Sequence, residues 1–123
     1  MEFEVVTGEF GDGVAVATVI GEADLYTAPE LKQALNGLVD GGAHSVLVDL
    51  SRTTFLDSTT LGVLMGAVRR LRPTGGEIAI VCRDPNIIKI FTITLLDRIF
   101  AITDSVAAGV ERLQQSLLDS REF

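Results

Sequence analysis

Apolar residues cluster in short runs along the chain, separated by segments in which apolar positions recur at helical spacing. Two strand-like runs, Glu2–Thr7 and Val14–Ile20, flank Gly11-Asp12-Gly13, and these turn residues tolerate positive φ and favour a hairpin. Three further runs predict the strands Val46–Val48 (within Ser45–Leu50), Ile78–Val81 and Ile99–Ile102. Short, continuously apolar runs are typical of central strands that are covered on both faces.

Between these runs, apolar residues recur three and four positions apart, as on the buried face of a helix. The pattern predicts helices that start at Thr27, Ser58, Asp84-Pro85 and about Asp104, the second of them ending near Arg72. At the first start, Thr27 and Glu30 have the spacing of a capping box. The order ββαβαβαβα predicts a single α/β domain over residues 1–119, with a mixed, mostly parallel sheet edged by the N-terminal hairpin. A frayed C-terminus is predicted for residues 120–123.

Charge and composition exclude several classes of function. The net charge of −7 argues against a nucleic-acid partner, because phosphate contacts need clustered Lys and Arg. No apolar run reaches the roughly 18 residues of a membrane span, and the acidic start Met1–Glu4 is unlike a secretory signal. The single Cys82 fits a reducing cytoplasm and a buried strand position. With one cysteine and the single His44 in a loop, no metal site and no cofactor are predicted.

The segment Asp57–Leu61 is the strongest candidate for function. It follows a predicted strand and polar bridge and opens a helix, so the Ser58 hydroxyl would lie at an exposed helix N-terminus. Free backbone N–H groups and the helix dipole favour negative charge there. The residues leave two interpretations open: Ser58 caps the helix, or it accepts a phosphate, with Asp57 as the cap in the second case. Thr59 is a second hydroxyl within reach.

Two glycines follow in the same predicted helix. Gly62 and Gly66 each lower the stability of a helix by about 1 kcal/mol relative to alanine, so a specific role is expected for each of them. Close approach of a partner is the preferred reason for Gly62. Tight packing of the helix within the domain is the preferred reason for Gly66.

Two sequence motifs, in the expected order and spacing, carry a resemblance to a known family. Gly21–Pro29, GEADLYTAP, resembles G-E-[hydrophobic]-D-x-x-[ST]-A-P, and Phe55–Gly62, FLDSTTLG, resembles [FY]-[hydrophobic]-D-S-[ST]-G-L-G. Both motifs belong to the anti-sigma factor antagonists, which are STAS-domain proteins. The later segments Ile90–Thr94 and Asp104-Ser105 also resemble that family, so the similarity covers nearly the whole chain. Thr60 and Leu95 stand where the family has glycine.

The resemblance implies a regulator rather than an enzyme. It implies that the unphosphorylated chain binds an anti-sigma factor, itself a serine-protein kinase, and thereby releases a sigma factor. Phosphorylation of Ser58, or as second choice Thr59, would end this binding, and a serine/threonine phosphatase would restore it. Asp24 matches the acidic residue of the family's first loop, although an Asx turn is an alternative role for it. The predicted partner-binding residues are Gly21, Asp24, Leu25, Tyr26, Asp57, Ser58, Thr59, Thr60 and Gly62.

Three other classes of function are alternatives to this one. The same fold could serve as a scaffold or a transport-complex subunit that is never phosphorylated. A receiver-like domain would be phosphorylated on Asp57, but it needs paired carboxylates after its first strand and a late lysine. Neither Thr7 nor Gly21 is followed by two adjacent carboxylates, and no lysine follows Ile102. A small enzyme would need an acid–base pair or a metal-binding cluster, and the sequence indicates neither.

Overall fold

The computed structural model describes residues 2–121, with residues 120 and 121 described by their backbone alone. Five strands and four α-helices alternate in the predicted order. Their bounds are β1 Glu4–Gly11, β2 Val14–Ala23, α1 Ala28–Asp40, β3 Ser45–Leu56, α2 Ser58–Leu71, β4 Ile78–Val81, α3 Pro85–Ile93, β5 Ala101–Thr103 and α4 Val106–Arg121. Short 3-10 helices at Arg72–Thr74 and Leu96–Arg98 follow α2 and α3.

The strands form one mixed sheet in the order β1-β2-β3-β4-β5. β1 pairs with β2 in antiparallel fashion, and the remaining three pairs are parallel. This confirms the predicted ββαβαβαβα fold with an N-terminal hairpin at one edge. Because β2 to β5 are mutually parallel, their carboxyl ends all lie at the same edge of the sheet, where functional groups of open α/β sheets collect.

Helices cover both faces of the sheet. Leu31 and Leu35 of α1, Leu64 of α2 and Phe91 of α3 belong to the larger core cluster on one face. Leu113 of α4 packs on the other face, in a second cluster whose buried members are Val14, Val16, Leu47, Ala79, Val81 and Leu113. Since successive strand residues point to opposite faces, a strand covered on both sides must be continuously apolar.

Strand β3 is longer than the sequence predicted. The polar segment Ser51–Leu56, which follows the predicted strand within Ser45–Leu50, continues β3 by pairing with the end of β2, from Ile20 opposite Arg52 to Ala23 opposite Leu56. Two register irregularities interrupt this pairing, and the buried Thr53 hydroxyl donates a 2.8 Å hydrogen bond to the Val19 carbonyl. The polar residues therefore occupy an irregular strand rather than a turn. Asp57 alone separates β3 from α2.

One predicted helix end differs from the structure. Thr27 precedes α1 but makes no side-chain capping bond to it, so the capping box is wrong. Its hydroxyl points back instead and donates to the Glu22 carbonyl at 2.9 Å. At the C-terminus α4 extends through Arg121, and the fraying of residues 120–123 stays a prediction. Residues 122 and 123 of that prediction lie outside the described residues.

Candidate functional site

The backbone carbonyl of Ala23 ties together the two loops that carry the sequence motifs. It accepts the Asp57 N–H at 3.2 Å and the Thr60 hydroxyl at 2.8 Å. Ala23 ends β2, and Asp57 follows the end of the neighbouring parallel strand β3, so both loops leave the sheet at the same edge. The hydrogen bonds hold the first turn of α2 against the start of the first loop.

Asp57 is the N-cap of α2. Its backbone is extended (φ −115°, ψ 179°), and its Oδ1 accepts the Thr60 N–H at 3.1 Å. The interpretation of Ser58 as the cap is therefore wrong, because Ser58 is already the first residue of the helix. Capping by Asp57 satisfies one of the otherwise unpaired donors of the helix N-terminus and leaves the Ser58 hydroxyl free of that duty.

The side chains of Ser58 and Thr59 are exposed at the start of α2. Neither hydroxyl, and neither backbone N–H, has a hydrogen-bond acceptor within the described chain. Unpaired N–H groups at the positive end of a 14-residue helix favour an anion. This first turn therefore presents a reachable hydroxyl in surroundings that can stabilise a phosphate.

Thr60 has the opposite environment from its two neighbours. Its side chain is 0% exposed, and its hydroxyl is used within the domain by the bond to Ala23. A residue buried in this way supports the site by positioning α2. The bulkier residue at the family's glycine position thus points inward and adds nothing to the exposed surface beside Ser58.

Asp24 organises the first loop through an Asx turn. Its Oδ1 accepts the Tyr26 N–H at 2.9 Å and the Thr27 N–H at 3.0 Å, while the Asp24 N–H donates to the Thr27 hydroxyl at 2.8 Å. Asp24 therefore has the structural role of an Asx turn, which was the alternative to a role in partner binding. The turn holds two apolar side chains out to solvent, with Leu25 60% and Tyr26 88% exposed.

Gly21 lies within β2 rather than in the loop, and its backbone conformation is left-handed, with φ +100°. A Cβ at this position would collide with the Glu2 carbonyl oxygen and crowd Phe3. The close approach of the N-terminal segment to β2 accordingly accounts for this glycine. Its side-chain position is filled from within the domain.

A groove of about 580 Å³ runs between α1 and α2 and begins at Thr59. Gly62 and Gly66 line it, and a Cβ at either position would have no atom within 4 Å. Tight packing as the reason for Gly66 is therefore wrong. Lys32 and Arg70 line the same groove, which sequence reasoning missed because they belong to different helices and share no motif. Arg70 is held by Asn36 and by Asp40, the latter at 2.6 Å.

The remaining reactive side chains are placed as structural groups. Cys82 is buried, as predicted, and burial raises the pKa of its thiol. His44 is half-buried and joins two loops, with Nδ1 3.2 Å from the Ser45 hydroxyl and Nε2 3.1 Å from the Thr74 carbonyl. Over residues 2–119, no three His, Cys, Asp or Glu side chains are grouped to hold a metal ion. Nor does any described helix combine the length and apolar character of a membrane span.

Sequence and structure together define the class of protein. The STAS domain family model matches residues 7–109, and the chain belongs to the STAS domain family. An anti-sigma-B factor antagonist of Listeria monocytogenes is 36% identical over 84 residues, which cover 68% of this chain and 74% of that protein. The predicted relationship to anti-sigma factor antagonists is thereby confirmed.

Solved structures of the same class share the fold. An anti-sigma factor antagonist from Mycobacterium paratuberculosis superposes with a TM-score of 0.83 at 28% identity, covering 92% of this chain and 95% of that one. The anti-sigma factor antagonist SpoIIAA in its unphosphorylated form has a TM-score of 0.77 at 18% identity, with 93% and 97% covered. The Bacillus SpoIIAA in its phosphorylated form has a TM-score of 0.69 at 18% identity, with 90% and 98% covered. At 18% identity these two likenesses concern the fold alone.

Proposed function

We propose that this chain is a cytoplasmic anti-sigma factor antagonist whose binding is switched by phosphorylation of Ser58. The unphosphorylated chain binds an anti-sigma factor and frees a sigma factor by competition. The anti-sigma factor is also the serine kinase that modifies Ser58, and a serine/threonine phosphatase restores the binding form. In this scheme the chain is a substrate and a binder rather than a catalyst.

The exposed Ser58 at the first position of α2 is the observation that carries the proposal. Its neighbours differ from it: Asp57 is engaged in capping and Thr60 is buried. Thr59 is exposed but lies one position further into the helix, where it lines the groove between α1 and α2. Of these two exposed hydroxyls, Ser58 is the one nearer the start of the helix, and Thr59 remains the second choice.

We define the docking face as Asp24, Leu25, Tyr26, Ser58, Thr59 and Gly62. Exposed Leu25 and Tyr26 supply the apolar and aromatic area from which protein interfaces gain most of their affinity. Asp24 supports them through its turn, and Asp57 and Thr60 support Ser58 from beneath. Gly62 adds a position without a side chain at which a partner can approach α2 closely. Gly21 contributes through the placement of β2.

Phosphorylation would act on the complex rather than on the fold. The Ser58 oxygen forms a bond to the γ-phosphorus of ATP, the bond to ADP breaks, and the hydroxyl proton is released. The modified side chain gains a charge of about −1.5 to −2 and three acceptor oxygens. The free N–H groups of the first turn favour this charge in the isolated domain. In the complex the phosphate must instead be desolvated against the partner, and a loss of about 3 kcal/mol lowers affinity more than a hundredfold.

The test combines purified chain, the anti-sigma factors of the source organism and ATP, followed by mapping of the modified residue by mass spectrometry. We expect one phosphate, on Ser58, and release of the complex when ATP is added. Ser58→Ala should still bind the anti-sigma factor but should no longer be released by ATP. Modification outside residues 58–60, or no modification by any of these kinases, would contradict the proposal and favour an unphosphorylated scaffold or transport-complex subunit.

Two control variants separate a switch from a simple contact. Thr59→Ala keeps Ser58 and should still be released by ATP. Tyr26→Ala removes a side chain that is 88% exposed, so it should fold normally and bind the anti-sigma factor at least tenfold more weakly. If Ser58→Ala folds but fails to bind, the hydroxyl is a contact. A phosphate that hydrolyses in mild base would instead indicate an acyl phosphate on Asp57.

A further inference from the structure

A polar cavity, separate from the groove between α1 and α2, lies at the opposite edge of the sheet from Ser58. It has a volume of about 380 Å³ and opens where β4 and β5 begin, between the C-terminal end of α2 and the side of α4. Helix α2 has 14 residues, so its two ends are separated by about 20 Å at 1.5 Å per residue. We call this cavity the basal pocket. It shares no residue with the docking face.

Three arginines line the basal pocket: Arg72, Arg98 and Arg112. Arg112 donates through Nε to Glu77 Oε1 at 3.3 Å, which leaves its terminal nitrogens unused. Arg72 and Arg98 form no ion pair or side-chain hydrogen bond with the described part of the chain. This concentration is unusual for a chain that has ten Lys and Arg in total and a net charge of −7.

The lining acids leave an excess of positive charge. Glu77 is already occupied by Arg112, and Asp97 is the other carboxylate at the pocket. Charges of the rest of the molecule that lie beyond about 8–10 Å are largely screened at physiological salt, so the local arginines decide which ion is favoured. Three guanidinium groups against the two carboxylates leave a net charge of about +1 at the pocket, and the two free guanidinium groups can bind a phosphate in bidentate fashion.

The floor of the pocket is formed by a glycine turn in a defined conformation. Gly75 is left-handed at φ +82°, and its N–H donates to the Arg72 carbonyl at 2.9 Å. Gly76 donates to the Leu71 carbonyl at 3.0 Å, and a Cβ there would collide with the His44 carbonyl oxygen. These contacts fix the backbone that carries Arg72. The fixed backbone sets where the Arg72 side chain begins, while the exposed side chain itself is ordered only on binding.

We propose that the basal pocket binds a phosphate-bearing small molecule through Arg72, Arg98 and Arg112. The volume exceeds that of a bare phosphate ion and lies in the range of small-ligand pockets. Val68 and Ile99 in the lining offer apolar contact to the organic part of the ligand. The site is independent of Ser58 and does not require the proposed function to be correct.

The test is isothermal titration calorimetry of the full chain at physiological ionic strength (about 0.15 M) with ribose 5-phosphate, inorganic phosphate and sulfate as separate probes. We expect ribose 5-phosphate to bind with submillimolar affinity and at least tenfold more tightly than either inorganic ion. Binding should weaken as salt is raised, because it depends on ionic contacts. The double variant Arg72→Gln/Arg98→Gln should lose at least tenfold in affinity while keeping its circular dichroism spectrum.

The matched control is Arg52→Gln/Arg83→Gln, which removes the same charge from exposed positions outside the pocket. It should bind ribose 5-phosphate within about twofold of the unmodified chain, because long-range attraction is screened. The proposal is overturned by absence of binding at millimolar ligand, by equal affinity for all three probes, or by equal losses in the two double variants. None of these results would bear on phosphorylation of Ser58.

Discussion

This chain departs from the motifs of the anti-sigma factor antagonists at two glycine positions. One lies in the first turn of α2 and the other in the turn after α3, and each carries a larger residue here. At the first turn of α2, Thr60 has ordinary helical geometry, is 0% exposed and donates to the Ala23 carbonyl. After α3, Leu95 is 55% exposed and has a left-handed backbone, with φ 61° and ψ 17°. The same type of replacement is thus accommodated in one place and strained in the other.

The difference comes from the backbone conformation that each position requires. Thr60 needs no positive φ, so a side chain there can be used, and its hydroxyl strengthens the link between the two loops of the docking face. Leu95 precedes the 3-10 helix Leu96–Arg98, and its conformation costs an L-amino acid with a Cβ about 1–2 kcal/mol. The two glycine positions of the family motifs therefore differ in their backbone requirement. The position of Thr60 accepts a side chain without strain, whereas the position of Leu95 accepts one at the cost of a strained backbone.

The largest effect is expected for Thr60→Gly, which restores the family residue. The variant loses a hydrogen bond, a buried methyl group and helix propensity, so we expect its free energy of unfolding to fall by about 2 to 3 kcal/mol. Urea denaturation measures this. Thr60→Ser keeps the hydroxyl and should lose only about 1 kcal/mol. Equal stability of Thr60→Gly and the unmodified chain would show that the bond to Ala23 contributes nothing.

A gain is expected for Gly66→Ala in the middle of α2. A new Cβ meets no atom within 4 Å, so the variant should gain about 1 kcal/mol from helix propensity alone. The rise in urea midpoint measures it, and Gly62→Ala, which has equally open space, is the matched variant. We further expect Gly62→Ala to weaken anti-sigma factor binding despite its greater stability. Loss of stability in either variant would indicate packing that the open groove does not show.

The smallest effect is expected for Leu95→Gly. Relief of the strained left-handed backbone should raise the free energy of unfolding by about 1–2 kcal/mol. The greater freedom of glycine in the unfolded chain should lower it by about 0.4–1 kcal/mol. A net gain of about 0.5–1 kcal/mol should appear in the same urea measurement. Leu95→Ala retains a Cβ and should show no such gain. If alanine and glycine were equally stabilising, exposure of the leucine rather than backbone strain would be the cause.

The element order was predictable because strands and helices differ in the spacing of their apolar residues. Continuous runs such as Ile78–Val81 matched buried strands, and the helical stripe after Ser58 matched α2. The extension of β3 through Ser51–Leu56 was not predictable from its polar residues. Those residues are in a strand because the end of β2 lies alongside and accepts the Thr53 hydroxyl, which is a contact across 34 positions of the chain.

Part of the candidate site could also be seen in the sequence. Asp57, Ser58 and Asp24 stand in local motifs whose capping and turn chemistry involves residues two or three positions away. The groove beside Gly62 and the basal pocket could not be found this way. Each is built from separate elements, for example Lys32 of α1 beside Gly66 of α2, or Arg72 near Arg112 of α4.

The sequence by itself determined the order of elements, the family and the hydroxyl at the start of α2, since each follows from local spacing or motif. Tertiary structure decided which neighbouring hydroxyl faces solvent. Ser58 is exposed and Thr60 is buried because the Ala23 carbonyl, 37 positions from Thr60, lies beneath the first turn of the helix. That direction is imposed by the packing of two parallel strands, and no local pattern of residues contains it.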